Sequence, residues 1–224
     1  MEKFPESPDE KPQENDKEPG ESFATEKNLS EPSPNTGWRH YMERTKNSPP
    51  RPHLAQAMEY ANRRKAALDL GSGALNDSIF LIKEGFEKVI AVDKEQAPAG
   101  ITSMLPDGRF DYVNSPFESF DFQPGAFDLI NAHYSLPFID PDRFDEVFKK
   151  ILGSLAEGGI IVGQLAGNRD GWSSNPNITC HTKEEVRSLL AEVKISLLEE
   201  DEHDGPTAAG RMKHWHLFHF IARK

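Results

Sequence analysis

The chain of 224 residues contains one cysteine, Cys180. A single thiol excludes an intrachain disulfide framework and suits a reducing compartment. No run of about 18 apolar residues is present to span a bilayer. The opening "MEKFPESPDE" lacks the apolar core of a secretory leader. These absences predict a cytoplasmic chain with no membrane partner. Basic charge is also scarce, with 26 Lys and Arg against 37 Asp and Glu and a net charge of −11. Such a surface is poor at neutralising phosphate backbones, so no nucleic-acid partner is expected. The cluster Arg63, Arg64, Lys65 reads as the solvated carboxyl end of a helix.

Residues 1–36 lack apolar side chains most of all. They hold five, beside six prolines and ten acids against four lysines, and so carry −6 of the net charge. A segment of this composition buries too little surface to offset its ordering entropy. The expectation is a disordered acidic tail over 1–36 and one domain over 37–224.

Within that domain the apolar pattern alternates between strand and helix signals. Helices are expected over 37–45 and 51–65, before a buried strand "AALDL" (66–70). A helix over 76–86 stops at Gly85, and strand "KVIAVD" (88–93) follows. Residues 95–105 read as a weak helix, 109–114 and 126–132 as strands, and 140–159 as a strong helix ended by Gly158 and Gly159. Strand "IIVGQL" (160–165), a helix over 182–193 with Thr182 and Glu185 at capping-box spacing, and two terminal strands complete the chain. Strands alternating with helices give an α/β, Rossmann-like three-layer α/β/α sandwich. The expected sheet is seven-stranded and mostly parallel. Its last strand is antiparallel, because no helix separates it from the strand before.

The chemistry concentrates at "ALDLGSGALNDSIFL" (67–81). A glycine-spaced turn after a first strand, opening into a helix, is a nucleotide-cofactor loop. The third glycine of a dinucleotide loop is missing, with Asn76 in its place, and Asp77 near the helix start repels a diphosphate. Asp69, inside the strand, suits a ligand with a cationic portion.

On Asp69, Gly71 and Gly73 the sequence resembles the class I S-adenosylmethionine-dependent methyltransferases, whose first motif is an acid, a residue, glycine, a residue, glycine. A further resemblance rests on "GWRHYMERTKNSPPRP", "AVDKE", "FDLINAHYSLPF", "GGIIVGQLAGNRDGW" and "DGPTAAGRMKHWHLFHFIARK". It points to bacterial small-molecule enzymes compared with tellurite-resistance and thiopurine methyltransferases. The resemblance implies S-adenosylmethionine as cofactor and a small-molecule acceptor methylated by in-line displacement; it leaves oligomeric state and acceptor atom open. It places Asp69, Gly71, Ser72, Gly73 and Asp77 at the methionine end. Asp93 and neighbouring Lys94 fall at the ribose, and Ser115 and Phe117 at the adenine. Asn131, His133 and Tyr134 face the acceptor, with Asn131 also near the cofactor and His133 as the group able to take its proton.

Each assignment has a plainer counterpart. Asp93 also reads as a cap on the following turn, Phe117 as a core side chain, and His133 as a hydrogen-bonded structural residue. Leu75 stands where a further glycine is usual, which is tolerable provided Leu75 does not need positive φ. Two alternatives stay open: an NAD(P)-binding oxidoreductase, and a non-catalytic protein that binds the same cofactor. Trp38 and Tyr41 either cover the cofactor or pin the first helix. Arg169, Asp170 and Trp172, in the long polar segment 166–180, are available to an acceptor. His214 and His216 share a strand face, but no cysteine or carboxylate stands at ligand spacing in sequence, so no metal site is expected.

Overall fold

The computed structural model describes residues 34–224 apart from Ala99, Ser103, Met104, Asp107 and Ala209, and without the side chains of residues 34–36 and 39. Residues 1–33, most of the expected tail, lie outside the described residues. Helix α1 (Pro34–Thr45) begins inside the stretch assigned to that tail. Helix α2 (Pro52–Ala57) follows, and then strand β1 (Ala66–Leu70), helix α3 (Asn76–Lys83) and strand β2 (Lys88–Asp93). Strands β3 (Phe110–Asn114) and β4 (Phe127–Ala132) come next. Helix α4 (Phe144–Ser154), strand β5 (Leu155–Gly167) and the two-residue strand β6 (Cys180–His181) occupy the middle. Helix α5 (Lys183–Leu189) and strands β7 (Lys194–Pro206) and β8 (Met212–Arg223) close the fold.

The strands form one sheet in the order β3-β2-β1-β4-β5-β8-β7, with β6 paired onto the end of β5. All pairings are parallel except those of β8, which runs antiparallel to β5 and β7. The seven expected strands are present, and β6 adds an eighth. Both faces are covered. Ala67, Val89, Leu129, Val162 and Ile221 pack with α2 and α3 on one side. Leu68, Leu70, Ile130, Ile161 and Phe220 pack with Phe148, Ile151 and Val186 of α4 and α5 on the other. Successive strand residues point to opposite faces, so one apolar run serves both layers.

Three expected elements differ. The helix over 51–65 stops at Ala57, because the chain must extend to enter β1. There the buried Asp128 carboxylate accepts the amides of Lys65 (2.8 Å) and Ala66 (3.4 Å) and pairs with Arg63 (3.1 Å). Arg63–Lys65 is therefore an extended strand lead-in, not a helix end. The helix over 140–159 ends at Ser154, four residues before the glycine pair. Leu155 already pairs with Phe127, and the register then shifts across Phe127/Leu129. Gly159 fits that irregularity closely, since a Cβ there would stand 2.9 Å from the Phe127 carbonyl oxygen. No α-helix occurs among the described residues of 95–105. The capping box forms as expected, with Glu185 N–H donating to Thr182 Oγ1 and Thr182 N–H donating to Glu185 Oε2.

Candidate active site

The sheet order reverses between β1 and β4. A crevice therefore opens beyond their carboxyl ends, the usual ligand position in such sheets. The 71–75 loop lies there. Gly71 and Ser72 donate their amides to Val92 O at 2.8 and 3.3 Å, which ties the loop to β2. Gly71 has φ +73°, and a Cβ on it would lie 2.4 Å from Ser135 Cβ, so only glycine fits. Leu75 has φ +65° and ψ 16°, left-handed backbone at the entry to α3. The condition set by the sequence thus fails: Leu75 does take positive φ. Its side chain is fully buried, and that burial offsets the strain.

A solvent-open cleft spans the crevice, a concave position of the kind that cofactors and small molecules occupy. Of the residues singled out from sequence, Gly71, Ser72, Asp77, Asp93, Lys94, Phe117, His133 and Tyr134 line it. Asp69, Gly73, Ser115 and Asn131 lie outside the lining. Gly73 donates its amide to Asp93 Oδ2 at 2.9 Å, while Asp93 Oδ1 accepts the Glu95 amide at 2.9 Å. Each Asp93 oxygen keeps one lone pair for a ligand. The capping and binding roles of Asp93 are therefore compatible.

Asp69 sits behind the cleft, its oxygens accepting Ser78 Oγ–H (2.5 Å) and Asn131 Nδ2–H (2.8 Å). Burial, then the neighbouring Asp77 charge, holds its carboxyl at about 7. Burial also raises Asp77, against the opposing pull of the Arg51 amide that its Oδ1 accepts at 3.0 Å. Asn131 donates to both acids and places its Oδ1 2.6 Å from His133 Nδ1. With the proton on Nδ1, His133 presents a bare Nε2. That nitrogen is buried and without a protein partner, as are Ser72 Oγ and Ser135 Oγ beside Gly71. Burial, followed by the Arg51 charge, pushes His133 well below the usual imidazole range, so it is neutral at pH 7. Unpartnered buried polar atoms in a cleft call for a hydrogen-bonding partner from outside the chain, a ligand or a water.

Sequence reasoning missed Arg51, Ser135 and Phe138, which also line the cleft. Arg51 precedes the loop by twenty residues and carries no local signal. Trp38 and Tyr41 line the cleft as well, and Trp38 packs edge-on against Phe138 at 5.1 Å between centroids, so covering and pinning go together. Ser115 instead turns its Oγ to Pro116 O.

The 166–180 segment differs from expectation. Arg169 is held by Glu200 (2.9 Å) and Glu202 (2.6 Å). Buried Asp170 binds Lys213 Nζ at 2.6 Å, and Lys213 lies between the rings of Trp172 (4.2 Å) and Trp215 (3.6 Å). Strand pairing does bring carboxylates to the histidines, which spacing in sequence did not reveal: Glu202 stands opposite His216 and Asp204 opposite His214. Glu200, Glu202 and His216 form a metal-sized group, but the Arg169 guanidinium occupies it. His53, His133 and His219 also bring ring nitrogens within 4.8 Å of one another. Their rings stack at 17° and 21°, so no single ion lies in all three ring planes as they stand.

Comparison with known proteins supplies the rest. Residues 67–159 match the protein family described as "Methyltransferase domain". No curated protein sequence matches significantly. Among solved structures, a Burkholderia thailandensis 1,6-didemethyltoxoflavin-N1-methyltransferase with bound 1,6-didemethyltoxoflavin and S-adenosylhomocysteine is similar at 22% identity and TM-score 0.57, covering 78% of this chain and 77% of that one. TehB from Haemophilus influenzae is similar at 15% identity and TM-score 0.61 (78% and 62% covered). A Methanosarcina mazei S-adenosylmethionine-dependent methyltransferase is similar at 18% identity and TM-score 0.59 (79% and 98% covered). A half-buried acid at the start of α3, Asp77, opposes a diphosphate, and the orphaned donors beside Gly71 fit an amino-acid end. Residues 67–159 therefore carry a methyltransferase domain, on a fold shared with S-adenosylmethionine-dependent methyltransferases.

Proposed function

We propose that the cleft methylates a small-molecule acceptor, with the domain spanning 37–224, the acidic segment 1–36 appended to it, and the cytoplasm as its compartment. S-adenosylmethionine supplies an electrophilic methyl group on a sulfonium, already a good leaving group. Asp93 accepts the ribose hydroxyls through its two remaining lone pairs, and Phe117 flanks the adenine with Lys94 beside it. Ser72 and Ser135 donate to the methionine carboxylate next to Gly71. Asp77 faces the ammonium, while Asp69 and Asn131 act from behind by fixing Asp77 and His133. The acceptor lies beside Tyr134, and neutral His133 Nε2 receives its proton. Positioning and exclusion of water carry most of the rate in this scheme. The small-molecule acceptor is supported by the Burkholderia neighbour, whose bound substrate is one.

The observation that carries this reading is Asp93: a carboxylate 9% exposed, lining the cleft, locked by two amides and still able to accept two hydroxyls. Calorimetric titration with S-adenosylhomocysteine tests it. Each charge-assisted bond is worth about 1.5–3 kcal/mol, so Asp93→Ala should weaken binding at least tenfold. Unchanged affinity in a folded variant refutes the assignment.

A further inference from the structure

We infer that Arg51 and Tyr41 form an anion-binding site on the acceptor side of the cleft, so that the acceptor is a flat, aromatic-sized molecule bearing a carboxylate or equivalent oxyanion. This rests on the reading of the cleft given above. Three features converge on Arg51. Its backbone is fixed by the amide bond to Asp77 Oδ1. Its guanidinium lies 4.4 Å over the Tyr134 ring, and Nη2 donates to the Tyr41 hydroxyl at 3.0 Å. Among the described residues no carboxylate comes within 4.0 Å of that guanidinium, whereas Arg63, Arg64, Arg143 and Arg169 each have one. A guanidinium has five N–H donors, and one is used here. Asp77 feels the Arg51 charge, but its bond to Arg51 is to the backbone amide, and its carboxylate stands more than 4.0 Å from the guanidinium.

A guanidinium 4.4 Å over an aromatic ring, with no carboxylate within 4.0 Å among the described residues, matches a planar carboxylate, which it binds in a fork. The cofactor's own carboxylate has other donors, the orphaned Ser72 and Ser135 hydroxyls at Gly71. Arg51 instead stands beside Tyr134 and acts electrically on His133, the acceptor end of the cleft. Trp38, Tyr134 and Phe138 supply faces and edges for a ring to pack against.

The test uses S-adenosylhomocysteine-loaded protein titrated with 2-naphthoate and with its neutral isostere 2-naphthamide, followed by tryptophan fluorescence and calorimetry. The expected result is a preference for the carboxylate of about tenfold or more. Arg51→Gln should abolish the preference and leave S-adenosylhomocysteine affinity within about twofold, while Arg51→Lys should restore part of it. Equal binding of the two naphthalenes, or binding of neither, overturns the proposal. So does an Arg51→Gln chain that loses S-adenosylhomocysteine but keeps 5′-methylthioadenosine, which has no carboxylate; Arg51 would then serve the cofactor. Wild-type protein that fails to bind S-adenosylhomocysteine sinks the cofactor reading itself, a result separable from all of these.

Discussion

Leu75 offers a quantitative test of how the loop tolerates its missing glycine. The residue combines φ +65° with complete burial, two properties that pull in opposite directions. Leu75→Ala keeps the left-handed backbone and removes the buried side chain, at a cost of about 2–5 kcal/mol. Leu75→Gly removes one more carbon, worth about 0.8 kcal/mol. It also relieves about 1–2 kcal/mol of left-handed strain. The freer unfolded chain takes back about 0.4–1 kcal/mol. The last three contributions nearly cancel. Glycine should therefore fall within about 1 kcal/mol of alanine, both well below wild type. For a domain of this size the loss is a drop in Tm of about 4–20 °C, at about 2–4 °C per kcal/mol. Thermal and urea unfolding of the three chains measures it. Glycine equal to wild type would show that packing does not hold Leu75 in place. Glycine more than about 1 kcal/mol below alanine would refute the left-handed backbone, since only at negative φ does glycine carry its ordinary penalty there.

Gly71→Ala should abolish S-adenosylhomocysteine binding through the 2.4 Å overlap with Ser135 Cβ, and the added change Ser135→Gly should recover part of it. Equal loss in the double variant would mean that backbone strain alone is responsible. Asp69, held at about 7 when folded against an ordinary 3.8, keeps its proton in the native state over that window while the unfolded chain gives it up. Its contribution to stability therefore falls as pH rises from about 4 to 7. Urea denaturation should show Asp69→Asn gaining on wild type between pH 5 and 7.5, and parallel pH profiles would refute the shift. Lys213→Met leaves Asp170 buried without its cation and should cost about 3–5 kcal/mol. A Tm within 2 °C of wild type at about 2–4 °C per kcal/mol would show the pair to be dispensable.

The sequence by itself determined the layer architecture, because strand runs such as "AALDL" and "KVIAVD" and the amphipathic α4 declare their periods locally. It also determined the loop after β1, the acid at the end of β2 and the Thr182–Glu185 capping box, each a short-range pattern with one physical use. Element ends were less legible. The lead-in at Arg63–Lys65 is extended because Asp128, sixty-three residues from Lys65, takes its amides. Helix α4 stops early because Leu155 is claimed by Phe127. The left-handed backbone at Leu75 was equally hidden, since nothing in a leucine announces positive φ.

The functional surround belongs to tertiary structure alone. Strand pairing set Glu200 and Glu202 around Arg169 and His216, turning a would-be acceptor contact and a would-be metal ligand into one ionic cluster. Packing of α1 and α2 over the crevice brought Tyr41 and Arg51 to Tyr134, although these residues lie ten and eighty-three positions from Arg51 in the chain. Local patterns fix what a segment is because propensity and capping act over a few residues. Which charge is left unpaired in a cleft depends on every element that packs there, and only the assembled sheet and its covering helices decide that.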